Sequence, residues 1–378
     1  MRIAVPAEAE GETRVAATPE VVRKYKALGA DVVVEAGAGR RAGIPDGEFE
    51  AAGATIAGSA DEAVRDADVV LKVRRPGGRE LKAMKRGAVV VAIMDPYGQD
   101  EALKAMADAG VSAFAMELMP RITRAQVMDV LSSQANLAGY RAVVDAAAEF
   151  GRALPMMMTA AGTVPAARVF VMGAGVAGLQ AIATARRLGA VVTATDVRPA
   201  AKEQVESLGG KFVAVEDEEF RQAETAGGYA KEMSAEYRAK QAELVAAHIA
   251  KQDIVITTAL IPGRPAPRLV SRSMVESMKP GSVVVDLAVE RGGNCELAEA
   301  GKVVDHNGVK IVGFENVPGR LAATASSLYA RNLYAFVETM VDKTARQLAV
   351  KWDDELVKAT LLTRDGAIVH SAFQPGTA

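Results

Sequence analysis

The chain has 378 residues, half of them hydrophobic and 24% charged, with a formal net charge of −2. That length allows two or three domains of ordinary size, and the near-neutral balance excludes a protein drawn by its overall field to nucleic acid or to an anionic membrane surface. Aromatics are scarce at 4%, so Ala, Val and Gly carry the interior, and the single cysteine, Cys295, excludes a disulfide within the chain.

The N-terminus, MRIAVPAEAE, carries no signal-peptide pattern and reads as a first strand. With one cysteine, a cytoplasmic, reducing location is expected. Strands at 2–5, 31–35, 54–56, 69–72, 88–93 and 112–115 alternate with helices. The helix between the first two is well signalled: Thr18 as N-cap, Pro19 in the first helical position, Glu20 favouring the N-terminal dipole, Gly29 as the stop. This alternation predicts a parallel sheet with helices on both faces. The run at 89–94 fits a buried strand, and no window approaches the roughly 18 apolar residues of a membrane helix. No direct membrane span is therefore expected, although the chain can dock on a membrane protein.

A long helical segment at 125–153 leads through Pro155 and Met156-Met157-Met158 into a second alternating region, 168–311. Its strands are placed at 169–172, 191–195, 211–215, 253–257, 282–286 and 309–312, six in all, the count of a doubly wound sheet. Residues 223–239, with Gly227-Gly228-Tyr229 among polar neighbours, read as a mobile loop. From Pro318 the pattern is helical again, and the tail at 361–373, with a turn at Asp365-Gly366, is expected to cross back and complete the first domain. The expected architecture is α/β: two Rossmann-like, doubly wound parallel-sheet domains joined by long helices, with NAD in the cleft. The first comprises 1–130 plus 318–378 and the second, NAD-binding, comprises 131–317.

The most specific stretch is RVFVMGAGVAGLQAIATARRLGAVVTATDVRP, residues 168–199. An apolar strand runs into Gly173-x-Gly175-x-x-Gly178, then a helix to Gly189, then a second strand ending on Asp196. Gly173 allows the tight turn, Gly175 lets a pyrophosphate approach the backbone, and Gly178 lets the helix pack close to the sheet. The helix N-terminus faces the phosphates with free N–H groups and a partial positive charge. A glycine-rich turn alone arises for backbone reasons; the flanking strand, helix and acid make this one specific. Asp196 lies 18 residues after Gly178, where a carboxylate accepts hydrogen bonds from the adenosine ribose and repels a 2′-phosphate, favouring NAD over NADP. Arg198 complicates this, because an arginine just past the acid can accept a 2′-phosphate; the acid is given more weight.

A second constellation lies in LMPRITRAQVMDVLSSQANLAGY, residues 118–140. Arg121 can clamp a phosphate or carboxylate with both arms of its fork, and Gln126 can both donate and accept, as a carboxamide demands. Gln126, Asp129 and Ser132, at i, i+3 and i+6, fall close to one helical face. The same spacing also fits a solvated helix start with Asp and Ser as caps, and spacing alone leaves both readings open.

PRITRAQVMDVLSSQANLAGYRAV, MMMTAAGTVPAARVFVMGAGVAGLQAIATARRLGA, AETAGGYAKEM, TTALIPGRPAP and KPGSVVVDLAVERGGN together resemble one family. It is the NAD(H)-binding domain I, or soluble alpha subunit, of proton-translocating NAD(P) transhydrogenase, and the likeness covers nearly the whole chain. The resemblance implies direct hydride transfer from NADH on this chain to NADP⁺ on a separate NADP-binding subunit, coupled to proton translocation by a membrane-spanning subunit. It implies a homodimer, active only with its partners and peripheral on the inner face of the cell membrane. With no apolar spans before Ala378, the chain is similar to the form in which those parts are separate polypeptides. Carried over by position, the resemblance puts Arg121, Gln126, Val127, Met128, Asp129 and Ser132 around the nicotinamide carboxamide and its neighbouring groups, with Gln126 also approaching the NADP ribose. Arg121, Gln126, Asp129 and Ser132 are the catalytic set. It assigns Gly173, Gly175, Val176 and Gly178 to the pyrophosphate and Asp196, Val197 and Arg198 to the adenosine. The mobile loop supplies Gly228 and Tyr229; Gln241 and Leu260 line the adenine side.

Alanine dehydrogenase is the competing resemblance, through GETRVAATP and LKVRRP. In that family an Arg and a Lys bind pyruvate and a His is the acid/base. Arg14 and Lys72 match the first two, but the strand at 89–94 runs into Asp95-Pro96-Tyr97, and the histidines are only His248, His306 and His370. Without a proton donor that titrates near neutrality, amino-acid oxidation is disfavoured, and Arg14 and Lys72 read as structural ion-pairing or vestigial groups. Hydride exchange between two nicotinamides moves no proton at the reacting carbons and needs no such donor. A non-catalytic NAD-sensing module is the remaining alternative. Cys295 reads as an ordinary small residue, and no cluster of His, Cys or carboxylates has metal-ligand spacing, so no metal is expected.

Overall fold

The computed structural model of the chain describes residues 1–222, 233–261 and 263–374. Contacts gather it into two compact units, one of residues 1–134 with the chain from 319 onward, the other of residues 135–318.

The first unit is built on an eight-stranded sheet. From one edge its strands are Ala367–Ile368, Leu361–Arg364, Ser112–Ala115, Val89–Ile93, Val69–Arg74, Arg2–Val5, Asp31–Glu35 and Thr55–Ala57. The six strands before residue 116 are parallel and follow the doubly wound order 3-2-1-4-5-6; Leu361–Arg364 and Ala367–Ile368 extend the sheet antiparallel. The inner strands are dominated by Val, Ala, Leu and Ile because both of their faces are buried, Lys72 of Val69–Arg74 being the buried exception. One face packs on Tyr25, Tyr329, Leu333 and Phe336 from the helices Pro19–Ala27 and Ala322–Glu338, the other on Leu103 and Met106.

The second unit repeats the order in a seven-stranded sheet: Lys211–Phe212, Val191–Thr195, Arg168–Met172, Ile254–Thr257, Val283–Asp286, Val309–Gly313, and an antiparallel edge strand, Lys302–His306. Register is tight across the switch point, Val169 facing Val192 on one side and Ile254 on the other. The chain is thus α/β, with a Rossmann-like parallel sheet in each unit. Among the described residues no helix is long and apolar enough to cross a membrane.

Several local expectations are corrected. The strand expected at 211–215 stops at Phe212, because the Val215 backbone leaves the ladder for side chains: its N–H donates to Gln241 Oε1 at 2.9 Å and its carbonyl accepts from Tyr237 Oη at 3.1 Å. The helix expected over 125–153 is a 3-10 turn, Thr123–Met128, followed after Asp129 by the helix Val130–Glu149. Residues 235–239, expected as loop, open the helix Ala235–Ile249, whose N-cap Ser234 accepts from the Tyr237 N–H. The rest of that loop, 223–232, lies outside the described residues. Thr18 occupies the N-cap position of Pro19–Ala27, but its side chain makes no cap bond. The exposed hairpin Met157–Thr159/Gly162–Val164 and the edge strand Lys302–His306 are not expected from the sequence.

His248 is half-buried against the edge of the Phe170 ring, and its Nε2 is shared by the Thr193 hydroxyl at 2.8 Å and the Gln252 amide nitrogen at 3.1 Å. Burial, reinforced by Lys251 and Lys211, depresses its pKa below the usual histidine value. The unfolded chain therefore takes up the proton first. The stabilising effect of neutral His248 is complete above about pH 6.5 and is lost as pH falls through the lower folded pKa. Denaturant unfolding at pH 7.5 and 5.5 is expected to show a larger loss for the wild type than for His248→Gln. Equal losses would remove His248 as the source.

Candidate dinucleotide site

The turn between Arg168–Met172 and the helix Val176–Arg187 is shaped by three glycines, each for a different reason. Gly173 has φ +104°, and a Cβ there would sit 2.6 Å from Thr258 Oγ1. At Gly178 a Cβ would lie 1.8 Å from the Gly173 carbonyl oxygen, so the helix rests directly on the turn. Thr258 Oγ1 donates to that same oxygen at 3.1 Å. Gly175, the N-cap, has an ordinary φ of −76°, and nothing lies within 4 Å of a Cβ placed on it. The protein itself gives no reason for a glycine at 175; a pyrophosphate entering the space a Cβ would fill would give one. Helix N–H groups and the helix dipole face that space.

Asp196 follows the adjacent strand and is engaged from several sides. Its Oδ2 accepts from the Ala174 N–H at 2.7 Å, its Oδ1 from the Arg198 N–H at 2.9 Å, and the Arg198 guanidinium pairs with both oxygens. Val176, Val197 and Leu260 are exposed apolar side chains of this unit. Gln241 ties the end of the second strand to the next segment, donating to Thr195 Oγ1 at 3.2 Å and accepting from Val215. Gly228 and Tyr229 lie outside the described residues.

Two residues that sequence reasoning passes over shape this turn. Asn294, fully buried, accepts from the Ala259 N–H at 3.0 Å and donates to the Ala259 and Pro267 carbonyls at 2.9 and 2.8 Å, fixing the segment that presents Leu260. A Cβ on Gly139 would meet the Ala177 carbonyl at 2.0 Å, so the helix Val130–Glu149 seats tightly on the start of Val176–Arg187. The GGN run at 292–294 is the available signal for the first; a lone glycine inside a helix gives little for the second.

In the first unit, residues 121–132 do not share one helical face. Gln126 stands in the 3-10 turn, and Asp129, with ψ 91°, breaks it. Asp129 caps the following helix: its Oδ1 accepts from the Ser132 N–H at 2.9 Å and its Oδ2 from the Ser132 hydroxyl at 2.5 Å. Met128 is buried in the core, whereas Val127 is exposed. Arg121 and Gln126 are exposed, and their side chains have no partner among the described residues. Buried Asn332 holds the segment, its Nδ2 donating to the Val127 carbonyl and its Oδ1 accepting from Ser133, both at 2.8 Å.

Arg14 and Lys72 are consumed internally. Arg14 pairs with Glu12 at 2.7 Å and donates to Gln134 at 2.9 Å; Lys72 lies 2.7 Å from Glu80 and 3.5 Å from Glu8. Burial pushes the Glu12 carboxyl up, but the hydrogen bonds and charge of Arg14, joined by Arg74, overcome it and hold Glu12 at about 2. For Glu8 burial wins over Lys72 and two backbone N–H groups, and its pKa is raised. Cys295 is fully buried with its thiol pushed up to about 11, no nucleophile at neutral pH.

Residues 4–138 match the family model described as Alanine dehydrogenase/PNT, N-terminal domain, and residues 142–371 match Alanine dehydrogenase/PNT, C-terminal domain. The chain is 60% identical over 379 aligned positions, 99% of each chain, to a Rhodospirillum rubrum protein named as the first portion of NAD(P) transhydrogenase subunit alpha. A solved transhydrogenase structure from Sinorhizobium meliloti superposes with a TM-score of 0.90 at 66% identity, covering 98% of this chain and all of the other. An alanine dehydrogenase of Halomonas elongata is 30% identical over 98% of this chain and 95% of its own.

The glycines separate packing from binding. Gly178→Ala is expected to destabilise the protein by about 2–3 kcal/mol, since its methyl must displace the Gly173 carbonyl. Gly175→Ala is expected to leave the melting temperature in place while weakening NADH binding at least about tenfold. Thermal melts with and without NADH read both, and a destabilised Gly175→Ala would mean that the protein alone demands that glycine.

Proposed function

The chain belongs to the alanine dehydrogenase/PNT family, and from that premise we propose that it is the NAD(H)-binding component of a proton-translocating NAD(P) transhydrogenase. The observation that carries the reading is the glycine turn whose middle residue leaves open space above the backbone. When bound, NADH supplies a hydride for NADP⁺ held on a partner subunit, a transfer that a membrane subunit couples to proton movement. The turn at Gly173, Gly175, Val176 and Gly178 holds the pyrophosphate; Asp196, Val197, Arg198, Gln241 and Leu260 surround the adenosine, joined by Gly228 and Tyr229. Arg121, Gln126, Val127, Asp129, Ser132 and the Met128 backbone hold the nicotinamide end. Gln126 matches a carboxamide with one donor and one acceptor, and the Arg121 fork suits an anionic oxygen pair. The demand on these residues is geometric: reacting carbons held at roughly 3–3.5 Å, with one face of the ring open to another protein. We further propose that the chain acts as a homodimer on the cytoplasmic face of the membrane, docked on the membrane subunit.

The same family contains alanine dehydrogenases, which reduce a keto acid instead. Against that reading stand Arg14 and Lys72, whose charges are already met by Glu12, Glu8 and Glu80, and the absence of a histidine from the stretch that follows the strand Val89–Ile93.

Mixing the chain with the NADP-binding component and following hydride transfer tests the proposal. Gln126→Ala and Arg121→Ala are each expected to slow transfer by about ten- to a hundredfold while changing the NADH dissociation constant less than about threefold. Equal losses in rate and affinity would reduce both residues to simple binding. Pyruvate, ammonia and NADH with the lone chain are expected to give no turnover, and brisk turnover would overturn the assignment.

A further inference from the structure

Asp196 and Arg198 form a closed unit. The Asp196 side chain is 7% exposed, and four N–H donors converge on its two oxygens. Oδ1 accepts from the Arg198 backbone and from Arg198 Nε, both at 2.9 Å; Oδ2 accepts from the Ala174 backbone at 2.7 Å and from the Arg198 NH2 group at 3.1 Å. The same terminal nitrogen donates to the Ala174 carbonyl at 3.3 Å. A carboxylate offers about four lone-pair sites, so all are taken. Arg198 is folded back across the glycine turn, with about a third of its side chain exposed (34%).

The two members of this pair favour opposite dinucleotides. A ribose 2′-hydroxyl needs the carboxylate as acceptor; a 2′-phosphate needs the guanidinium. The chain carries both, each spent on the other. We propose that Asp196 selects NAD(H) by masking Arg198: the acid holds the arginine that would otherwise receive a 2′-phosphate, and Arg198 yields one Asp196 oxygen when a ribose hydroxyl arrives. The inference rests on the reading of this turn as the NAD(H) site.

The exchange is asymmetric in charge. A ribose hydroxyl replaces one N–H on Asp196 while the ion pair stays largely intact. A 2′-phosphate must pull the whole guanidinium away, leaving a nearly buried carboxylate beside a second anion, and both the unpaired buried charge and the like-charge contact oppose this. Asp196 therefore acts through Arg198 as well as by direct repulsion, and the two routes are separable.

The test measures dissociation constants of the full chain for NADH and NADPH. Asp196→Asn keeps an acceptor for the Ala174 N–H but releases the guanidinium. It is expected to weaken NADH several-fold and to tighten NADPH by at least about tenfold. Adding Arg198→Ala to it is expected to abolish the NADPH gain, and Arg198→Ala alone to give none. A double variant that keeps the gain would show repulsion alone at work and overturn the masking. So would an Asp196→Asn chain that binds NADH but gains nothing for NADPH. If the Asn variant melts early, Asp196→Ser, smaller and still an acceptor, is held to the same expectations. A wild-type chain that binds no NADH would overturn the site reading itself, and this inference with it.

Discussion

One carbonyl oxygen sets the turn on which the second unit's candidate site is built. Gly173 O lies where the Cβ of anything but glycine at 178 would have to be, and it also accepts from the Thr258 hydroxyl. That contact brings the helix Val176–Arg187 down onto its strand and fixes where the helix N-terminus points. Gly139 repeats the device one layer out, against the Ala177 carbonyl. Close backbone approach on two sides leaves the first turn of the helix little freedom, and a rigid N-terminus costs less to organise around an anion than a mobile one.

The two units share a strand order and use it in opposite ways. In the second, the loop after the first strand is glycines and open space. In the first, the loop after Arg2–Val5 carries Glu8, Glu12 and Arg14, and the neighbouring strand Val69–Arg74 adds Lys72 and Arg74. The place where a doubly wound sheet ordinarily receives a ligand is here filled by the protein's own ion pairs, with the Tyr329 hydroxyl donating to the Lys72 carbonyl at 2.8 Å. A buried charge cluster of this kind contributes little net stability, yet removing one member leaves its partner uncompensated and costs several kcal/mol. It acts as a plug that is hard to remove piecemeal, so the two switch points differ in chemistry although their topology is the same.

What the sequence discloses follows from the range of the forces involved. Within the strands Arg168–Met172 and Val283–Asp286, residues 169–172 and 283–285 are continuous apolar runs because they are buried on both faces, and that signal is local. The spacing of the three glycines is likewise a local pattern, and Gly178 answers to a carbonyl five positions back, although Gly173 also answers to Thr258, 85 positions away. The edge strand Lys302–His306 is invisible because only two of its residues are apolar and most of it is exposed, so it carries little burial signal. Asn294 and Asn332 are hard to read for another reason: their partners lie 35 and 205 positions away in sequence, and beyond the GGN run at 292–294 nothing near either asparagine marks such a bond. The short end of the strand at Phe212 belongs to the same class, decided by Gln241 and Tyr237 from a distant helix.

The segment 121–132 admits two meanings from its spacing, helix cap or ligand clamp, and its geometry divides them by residue. Asp129 and Ser132 spend their polar atoms on each other and on the helix start. Met128 is anchored in the core, and Asn332 pins the Val127 carbonyl. A backbone tethered at three successive residues cannot drift, so the uncommitted Gln126 side chain beside it projects from a fixed base. This is the arrangement that positioning chemistry requires, since misplacement of a reacting group by about 1 Å is enough to cost a hundredfold in rate. On the proposed reading, capping and clamping are parts of one construction: the cap supplies the rigidity, and the arginine and glutamine the recognition.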